Sequence, residues 1–454
     1  MEQHISHVKN KLRAYHQEHL LERLDGLPEA ARMKLSAQIE HMELDQLFAA
    51  IEKYKQAASS SSGAHITPIA YVDWERYEEQ EKQAFTERGW ELLRAGAVGV
   101  VVVAGGNGSR LGHDGPKGTC DIGLPSGKSL FQLQAERLLH LSKRAGRTIA
   151  WYIMTSPDNH DATVAFFQAA DFFGYPAEDC FIFQQNMMPA VDHDGKLLLS
   201  AEGAIKLAPS GNGECFASLR RSGALADMKQ RGVEWLFYYN VDNALIKVAD
   251  PAFIGVAAHY NNRIATKVIE KTNADEKIGI VCRQHGRPAV LEYNEIPESV
   301  SNERTKDGRL FYGLGHISIH LFKVEFIEEY ADADIPYHVA SKRLEYLDTE
   351  GQAIVPTEPN AYKLERFIFD FLPYADEITV LKVRRDAEFA PVKNKSGEDS
   401  PASARSLVLE LHKKWLAAAG VPKAELQGRD IEISPLLSYS GEGLSAEDWE
   451  KRLS

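Results

Sequence analysis

The chain has 454 residues, 44% hydrophobic and 26% charged, enough for several domains of an ordinary folded protein. A net charge of −13 excludes a general nucleic-acid surface, which needs a basic excess, and leaves room only for a local basic pocket. Four cysteines (Cys120, Cys180, Cys215, Cys282) lack C-x-x-C spacing, which speaks against a disulfide framework or zinc site and for a reducing compartment.

The opening stretch MEQHISHVKNKLRAYHQEHL is charged every few residues, unlike the apolar segment of a signal peptide. No run of about 18 apolar residues occurs, so no membrane span is expected and the chain reads as cytosolic. Residues 1–57 are expected to be helical: Leu12, Tyr15, Leu20, Leu21, Leu24 and Leu27 recur at helical spacing. Ile39, Met42, Leu44, Leu47, Phe48 and Ile51 then repeat the pattern. A serine-rich link follows at residues 59–63, then a helix near 77–94 running to Gly96.

From about 97 to 250 the texture changes. Residues 98–104 form a short, almost wholly apolar run, as expected of a parallel strand covered on both faces. Helices are expected near 129–144 and 160–173, with strands near 148–155, 181–184 and 235–240. This alternation implies a three-layer α/β sandwich with right-handed crossovers. Residues 264–270, 278–283 and 289–293 are expected to be antiparallel strands added to the main sheet, with a turn at His285-Gly286-Arg287. A strand near 378–383 and a helix near 402–418 close the chain.

The strongest local signal is Ala104-Gly105-Gly106-Asn107-Gly108-Ser109-Arg110-Leu111-Gly112, directly after a buried strand. Glycines let main chain approach a ligand closely, and successive N–H groups make an anion-binding concavity. Arg110 adds a planar charged fork for phosphate oxygens, and Lys117 follows within Gly115-Pro116-Lys117-Gly118. Gly106, Gly108 and Gly112 give G-x-G-x-x-x-G, which misses the dinucleotide fingerprint. Gly123-Leu124-Pro125-Ser126-Gly127-Lys128-Ser129 is one residue short of a P-loop. Asp242 follows an apolar strand, where a carboxylate faces the ligand crevice; its plainer reading is a strand-end turn.

Gly106–Lys117, reading GNGSRLGHDGPK, resembles the G-x-G-[TS]-R-L-G-x-x-x-P-K loop of eukaryotic-type UDP-sugar pyrophosphorylases, above all their UDP-N-acetylhexosamine branch. The likeness continues, in the family's order, through Asp121-Ile122-Gly123-Leu124-Pro125, Phe183-Gln184-Gln185-Asn186, Ala208-Pro209-Ser210-Gly211-Asn212-Gly213 and Asn240-Val241-Asp242-Asn243. Val268-Ile269-Glu270-Lys271, Glu292-Tyr293-Asn294 and Glu388-Phe389-Ala390-Pro391-Val392-Lys393-Asn394 complete a span of roughly residues 95–410. The resemblance implies a Rossmann-like nucleotidyltransferase sandwich with a mostly parallel central sheet. The expected division is a helical N-terminal region at 1–94, a catalytic domain at 95–380 and a small C-terminal α+β domain at 381–454.

The implied reaction joins UTP to a hexose 1-phosphate, foremost N-acetylglucosamine 1-phosphate, and releases pyrophosphate with Mg2+ as cofactor. By resemblance, Arg110, Lys117 and Lys393 are catalytic cations and Asp242 the metal ligand. Gly105, Gly106, Gly108, Gln185, Gly211 and Asn212 are expected to bind UTP. Gly279, Glu292, His316, Lys363, Phe367 and Phe369 are expected at the sugar phosphate, the two phenylalanines being otherwise core residues. One departure stands out: the family reads G-N-I-x-N-H-F-F where this chain has Gly315-His316-Ile317-Ser318-Ile319-His320-Leu321-Phe322. With His316 in place of asparagine, glucose or galactose 1-phosphate stays open as substrate. A non-catalytic UDP-sugar sensor is the reading from another class.

Overall fold

Val98–Val103 is buried at five of its six positions, so it needs partners on both edges and cover on both faces. The computed structural model, which describes residues 2–42, 44–57, 65–348, 350–447 and 449, supplies both. The serine-rich link expected at 59–63 lies outside the described residues. By its contacts the chain divides into two compact units, each discontinuous in sequence.

The larger unit comprises Ala64–Gln185, Cys215–Ala333 and Phe371–Ser454. Its sheet has eleven strands among the described residues. In chain order these are β1 Ile66–Thr67, β2 Val72–Asp73, β3 Val98–Val103, β4 Trp151–Thr155, β5 Cys180–Gln184 and β6 Trp235–Asn240. Then come β7 Ile264–Glu270, β8 Ile280–Gln284, β9 Arg287–Leu291, β10 Leu314–Lys323 and β11 Thr379–Lys382. The spatial order is β2-β11-β7-β10-β6-β3-β4-β5. β6, β3, β4 and β5 run parallel, and β10 lies antiparallel between β6 and β7. The expected mostly parallel α/β sheet is therefore present, and the chain switches direction at β3, between β4 and β6. Ligands of open α/β sheets bind at such a switch point, beyond the carboxyl ends of the strands.

The antiparallel strands expected over residues 264–293 are part of the main sheet, though they do not form one meander. Only β8 and β9 form an antiparallel hairpin, turned by His285 (φ 51°) and Gly286 (φ 79°). β7 pairs instead with β10 and, in parallel, with β11. Two helices that cover the sheet pack on each other at unusually close range. A Cβ on Gly255 of Pro251–Tyr260 would sit 1.7 Å from the carbonyl oxygen of Phe85 in helix Glu79–Ala95, and one on Gly89 would sit 1.8 Å from that of Pro251. Helix Pro401–Ala418, capped by Ser400, buries Val408, Leu409 and Leu411 in a cluster with Leu111, Leu124 and Val392. That packing makes it part of this unit instead of a separate C-terminal domain.

The smaller unit comprises Met1–Gly63, Asn186–Glu214 and Asp334–Asp370. Its helices Glu2–Ala14, His19–Gly26, Glu29–Glu40 and Leu44–Ala57 bury Leu12, Leu20, Leu24, Ile39, Leu47 and Ile51, as their spacing predicts. They pack on Val191, Leu197, Leu199, Ile205 and Leu364 from much later in the chain. Two side-chain amides, Gln17 buried and Gln38 half-buried, complete that seam. Gln17 receives a hydrogen bond from Leu197 N and donates to Gly195 O, and Gln38 bonds both polar groups of Ile205. The helical region expected over 1–94 is thus split: residues 65–95 belong with the large sheet. Among the described residues no helix is long and apolar enough to cross a membrane, and all four cysteines are free.

Candidate active site

β3 ends at Val103 beside Asn240 of β6, so the loops that follow both strands leave the same edge of the sheet. The first is the glycine-rich loop. Asn107 bridges to Pro116, Gly108 N donates to Gly115 O (2.8 Å), and Lys117 N donates to Gly106 O (3.0 Å). The excursion is pinned at its neck, which delivers Lys117 back to the strand end while Arg110 stands exposed on the turn Ser109–Leu111. A Cβ on Gly105 would lie 2.7 Å from Gln185 Nε2, whereas one on Gly106 would meet nothing within 4 Å. Gly105, Gly106 and the buried amide of Gln185 are thus brought together. The Gly108 amide is engaged by Gly115 and a Cβ there would strike His113, so Gly108 shapes the loop.

The second loop carries Asp242. Lys117 Nζ lies 3.1 Å from Asp242 Oδ2, both side chains being about one-fifth exposed. The main-chain oxygen of Asp242 accepts from Val392 N at 2.9 Å, and Asn243 bridges to Pro391. Lys393 therefore follows directly on a segment laced to the Asp242 loop; its ammonium lies 3.9 Å from Asp399. The expected catalytic cations and carboxylate all lie on the larger unit. Among the described residues no group of three or more His, Cys, Asp or Glu is placed to cage a metal. Asp242 can serve as the single protein anchor for a magnesium ion whose other ligands are phosphate oxygens and water.

The sugar candidates of this unit also meet. His316 N donates to Gly279 O (2.8 Å), and a Cβ on Gly279 would lie 3.6 Å from Glu292 Oε1. β10 is bulged here. His316 pairs with Val268 and His320 with Thr266, leaving Ile317, Ser318 and Ile319 opposite Lys267 alone. Ser318 takes a left-handed backbone (φ 55°), which costs a non-glycine residue roughly 1–2 kcal/mol, and its buried Oγ has no hydrogen-bond partner. The bulge folds His316 Nε2 to 3.1 Å from His320 Nε2. Burial, with the charge of Lys393, pushes His316 down to about 3, and burial beside His316 holds His320 well below the usual range.

The remaining candidates lie on the smaller unit. Asn212 Oδ1 accepts from Ile368 N (2.9 Å), and Gly211, at φ 89°, passes so near Arg366 that a Cβ would lie 2.3 Å from its carbonyl oxygen. Phe367 and Phe369 stack with centroids 5.0 Å apart, against His338, which Asp370 holds at 3.0 Å. Phe369 is buried and Phe367 half-buried. Lys363 pairs with Glu365 at 2.8 Å.

Residues 44–442 match the family described as UTP–glucose-1-phosphate uridylyltransferase. The chain belongs to this family. Among relatives it is similar to UDP-N-acetylglucosamine diphosphorylase 2 of Arabidopsis thaliana, 36% identical over 96% of this chain and 90% of that one. It is likewise similar to the UDP-N-acetylglucosamine pyrophosphorylase of Saccharomyces cerevisiae, 37% identical over 86% and 84%. A solved structure of the uridine diphosphate N-acetylglucosamine pyrophosphorylase of Trypanosoma brucei, in complex with an inhibitor, superposes with a TM-score of 0.84. It shares 28% identity, over 98% of this chain and 95% of that one.

Three features of this uridylyltransferase-family site were not singled out from sequence. Asn159, buried at the head of helix His160–Ala169, donates to Ala104 O (2.9 Å) and Gly106 O (3.3 Å) and accepts from Ser156 N, bracing the glycine loop from behind. Its signal is an asparagine at a helix start. Asn243 donates to Glu388 O (2.7 Å) and accepts from Ala390 N (2.9 Å), fastening the segment that carries Lys393. Lys267, wholly buried in β7, lies 2.6 Å from Asp250 and 2.5 Å from Glu388. Its signal is one charge within an apolar strand.

Proposed function

We propose that the chain transfers the uridylyl group of UTP to N-acetylglucosamine 1-phosphate, forming UDP-N-acetylglucosamine and pyrophosphate. The observation that carries this reading is Lys117 on Asp242 at 3.1 Å, with the main chain leading to Lys393 hydrogen-bonded to that same aspartate. In the reaction a sugar-phosphate oxygen attacks the α-phosphorus in line, and the bond from that phosphorus to the pyrophosphate oxygen breaks. Two anions must meet, so the chain's task is to hold fixed cations where negative charge gathers. Lys117, on the pinned neck of its loop, and Lys393 serve the α-phosphate. Arg110 serves the triphosphate.

Magnesium, bound at Asp242, would neutralise phosphate charge. Lys117, 3.1 Å from Asp242, stands where its ammonium would reach a phosphate oxygen once the carboxylate were engaged by the ion. Gly105, Gly106 and Gln185 take the uracil, since an amide offers both donor and acceptor to a pyrimidine edge. Gly211 and Asn212 are proposed as contacts of UTP. Gly279 and Glu292 take sugar hydroxyls, and His316 takes an oxygen of the sugar. Lys363 is proposed for the sugar phosphate, and Phe367 and Phe369 for the acetamido methyl, which suits aromatic faces. Four free thiols fit a cytosolic setting.

The names of the similar relatives favour the N-acetylated sugar, while the family description and His316 favour testing glucose 1-phosphate beside it. The test is pyrophosphate release from UTP and magnesium with N-acetylglucosamine, glucose and galactose 1-phosphates in turn. The reading expects the highest kcat/KM with the first. A preference for glucose 1-phosphate would move the chain to the second reading, and UDP-sugar binding without consumption of UTP would make it a sensor.

A further inference from the structure

His316 and His320 are four positions apart on β10, a spacing of about 13 Å along a regular strand. The bulge brings their rings together instead, with centroids 5.1 Å apart and the two Nε2 atoms at 3.1 Å. The groups around the pair leave both rings neutral. Lys393 adds positive charge beside His316, and the ring of Tyr238 on β6 lies 5.7 Å from that of His320. Between two neutral imidazoles, one Nε2 carries the bridging proton and the other is bare. The two arrangements are not equivalent, because His320 Nδ1 is buried without a hydrogen-bond partner. Were His316 the donor, His320 would keep its proton on Nδ1, a buried N–H with no acceptor. With His320 the donor, that nitrogen is a bare lone pair, the kind of unmet group proteins tolerate more readily.

We propose that His320 donates its Nε2–H to His316, fixing His316 as the Nδ1–H tautomer, so that His316 meets the sugar 1-phosphate as a hydrogen-bond donor with His320 as its positioning residue. This rests on the sugar-binding reading above and deepens it. The asparagine amide of the resembling family offers a donor and an acceptor. His316 held this way offers one donor, and so selects an oxygen that accepts, such as the acetamido carbonyl.

Nitrogen-15 NMR of the full chain labelled at histidine, with His316→Asn and His320→Phe spectra to assign the signals, reads both tautomers without any substrate. The expected result is a protonated Nδ1 and bare Nε2 on His316, the reverse on His320, and no titration of either from about pH 8 to about pH 5. A His316 protonated at Nε2, or titrating near its ordinary value, overturns the proposal. In kinetics, a folded His320→Phe enzyme should raise KM for N-acetylglucosamine 1-phosphate about tenfold, as for one lost hydrogen bond, and leave KM for UTP unchanged. His320→Gln, whose amide N–H can replace Nε2–H, should recover much of that loss. An unchanged sugar-phosphate KM in His320→Phe refutes the positioning role. Absence of turnover with every sugar phosphate removes the functional reading and the sugar half of the proposal, whereas the spectra alone decide the tautomers.

Discussion

The main-chain oxygen of Asp242 accepts a 2.9 Å hydrogen bond from the amide of Val392, which sets the residue before Lys393 against the candidate metal ligand. Asn243 secures this seam from the next position, through Glu388 O and Ala390 N. Asn243→Ala strands both of those buried groups, each worth about 1–3 kcal/mol. Urea unfolding should record a loss of about 2–6 kcal/mol for the two together, and turnover of the folded variant should fall by about tenfold or more as Lys393 loses its mooring. Unchanged turnover would show that the seam does not govern Lys393.

Lys267 is the hidden support of the same segment. Burial alone would lower its pKa, but Asp250 and Glu388 override this and hold it above its ordinary 10.5. Burial likewise would raise Asp250, and the charges of Lys267 and Lys247 hold it below its ordinary 3.8. The Asp250 contribution is thus present above pH 3.8 and lost as pH falls through the depressed value. The Lys267 contribution is full below 10.5 and lost as pH rises through the raised one. Lys267→Met leaves two buried carboxylates facing each other and should cost about 3–5 kcal/mol at neutral pH. Denaturation as a function of pH checks the sign: the deficit of the variant should shrink on acidification, as those carboxylates take up protons.

His316 and His412 are both pushed down to about 3, chiefly by burial, with Lys393 and Arg137 as the respective positive neighbours. Their folded values lie below the ordinary 6.5, so the unfolded chain binds the extra protons first. Stability they contribute is complete above pH 6.5 and drains away as pH falls toward about 3. Stability curves of the wild type and of His412→Gln should therefore diverge at neutral pH and converge between those values.

Gly255 allows helix Pro251–Tyr260 to ride on the backbone of Phe85, where a Cβ would lie 1.7 Å from an oxygen. Gly255→Ala must push the helices apart, and thermal or urea unfolding should show a loss of about 2–3 kcal/mol. Gly26→Ala, where a Cβ meets nothing within 4 Å, is the control.

Which of these features could be read in the sequence follows from how local their causes are. β3 is legible because a strand covered on both faces must be apolar throughout, and Val98–Val103 is. The glycine loop is legible because its glycines, Arg110 and Lys117 fall within one short stretch. β10 is harder to see whole: His316, Ser318 and His320 interrupt its apolar run, and nothing in their alternation with Ile317 and Ile319 announces the bulge. No local pattern announces that Lys117 will meet Asp242, or that Lys267 will find Glu388, since each pairing is made by the sheet order. The grouping of residues 2–57 with Val191, Leu197 and Leu364 is invisible for the same reason. A linear reading places boundaries where texture changes, and these units are assembled from separated segments.

The central claim is that Lys117 and Lys393 supply positive charge to the transferring phosphate. Its most direct test is turnover of UTP with N-acetylglucosamine 1-phosphate and magnesium by Lys117→Met and Lys393→Met, each shown to unfold at the wild-type urea concentration. The account predicts a drop in kcat on the order of 10²–10³ for each. Wild-type turnover by either folded variant would contradict it.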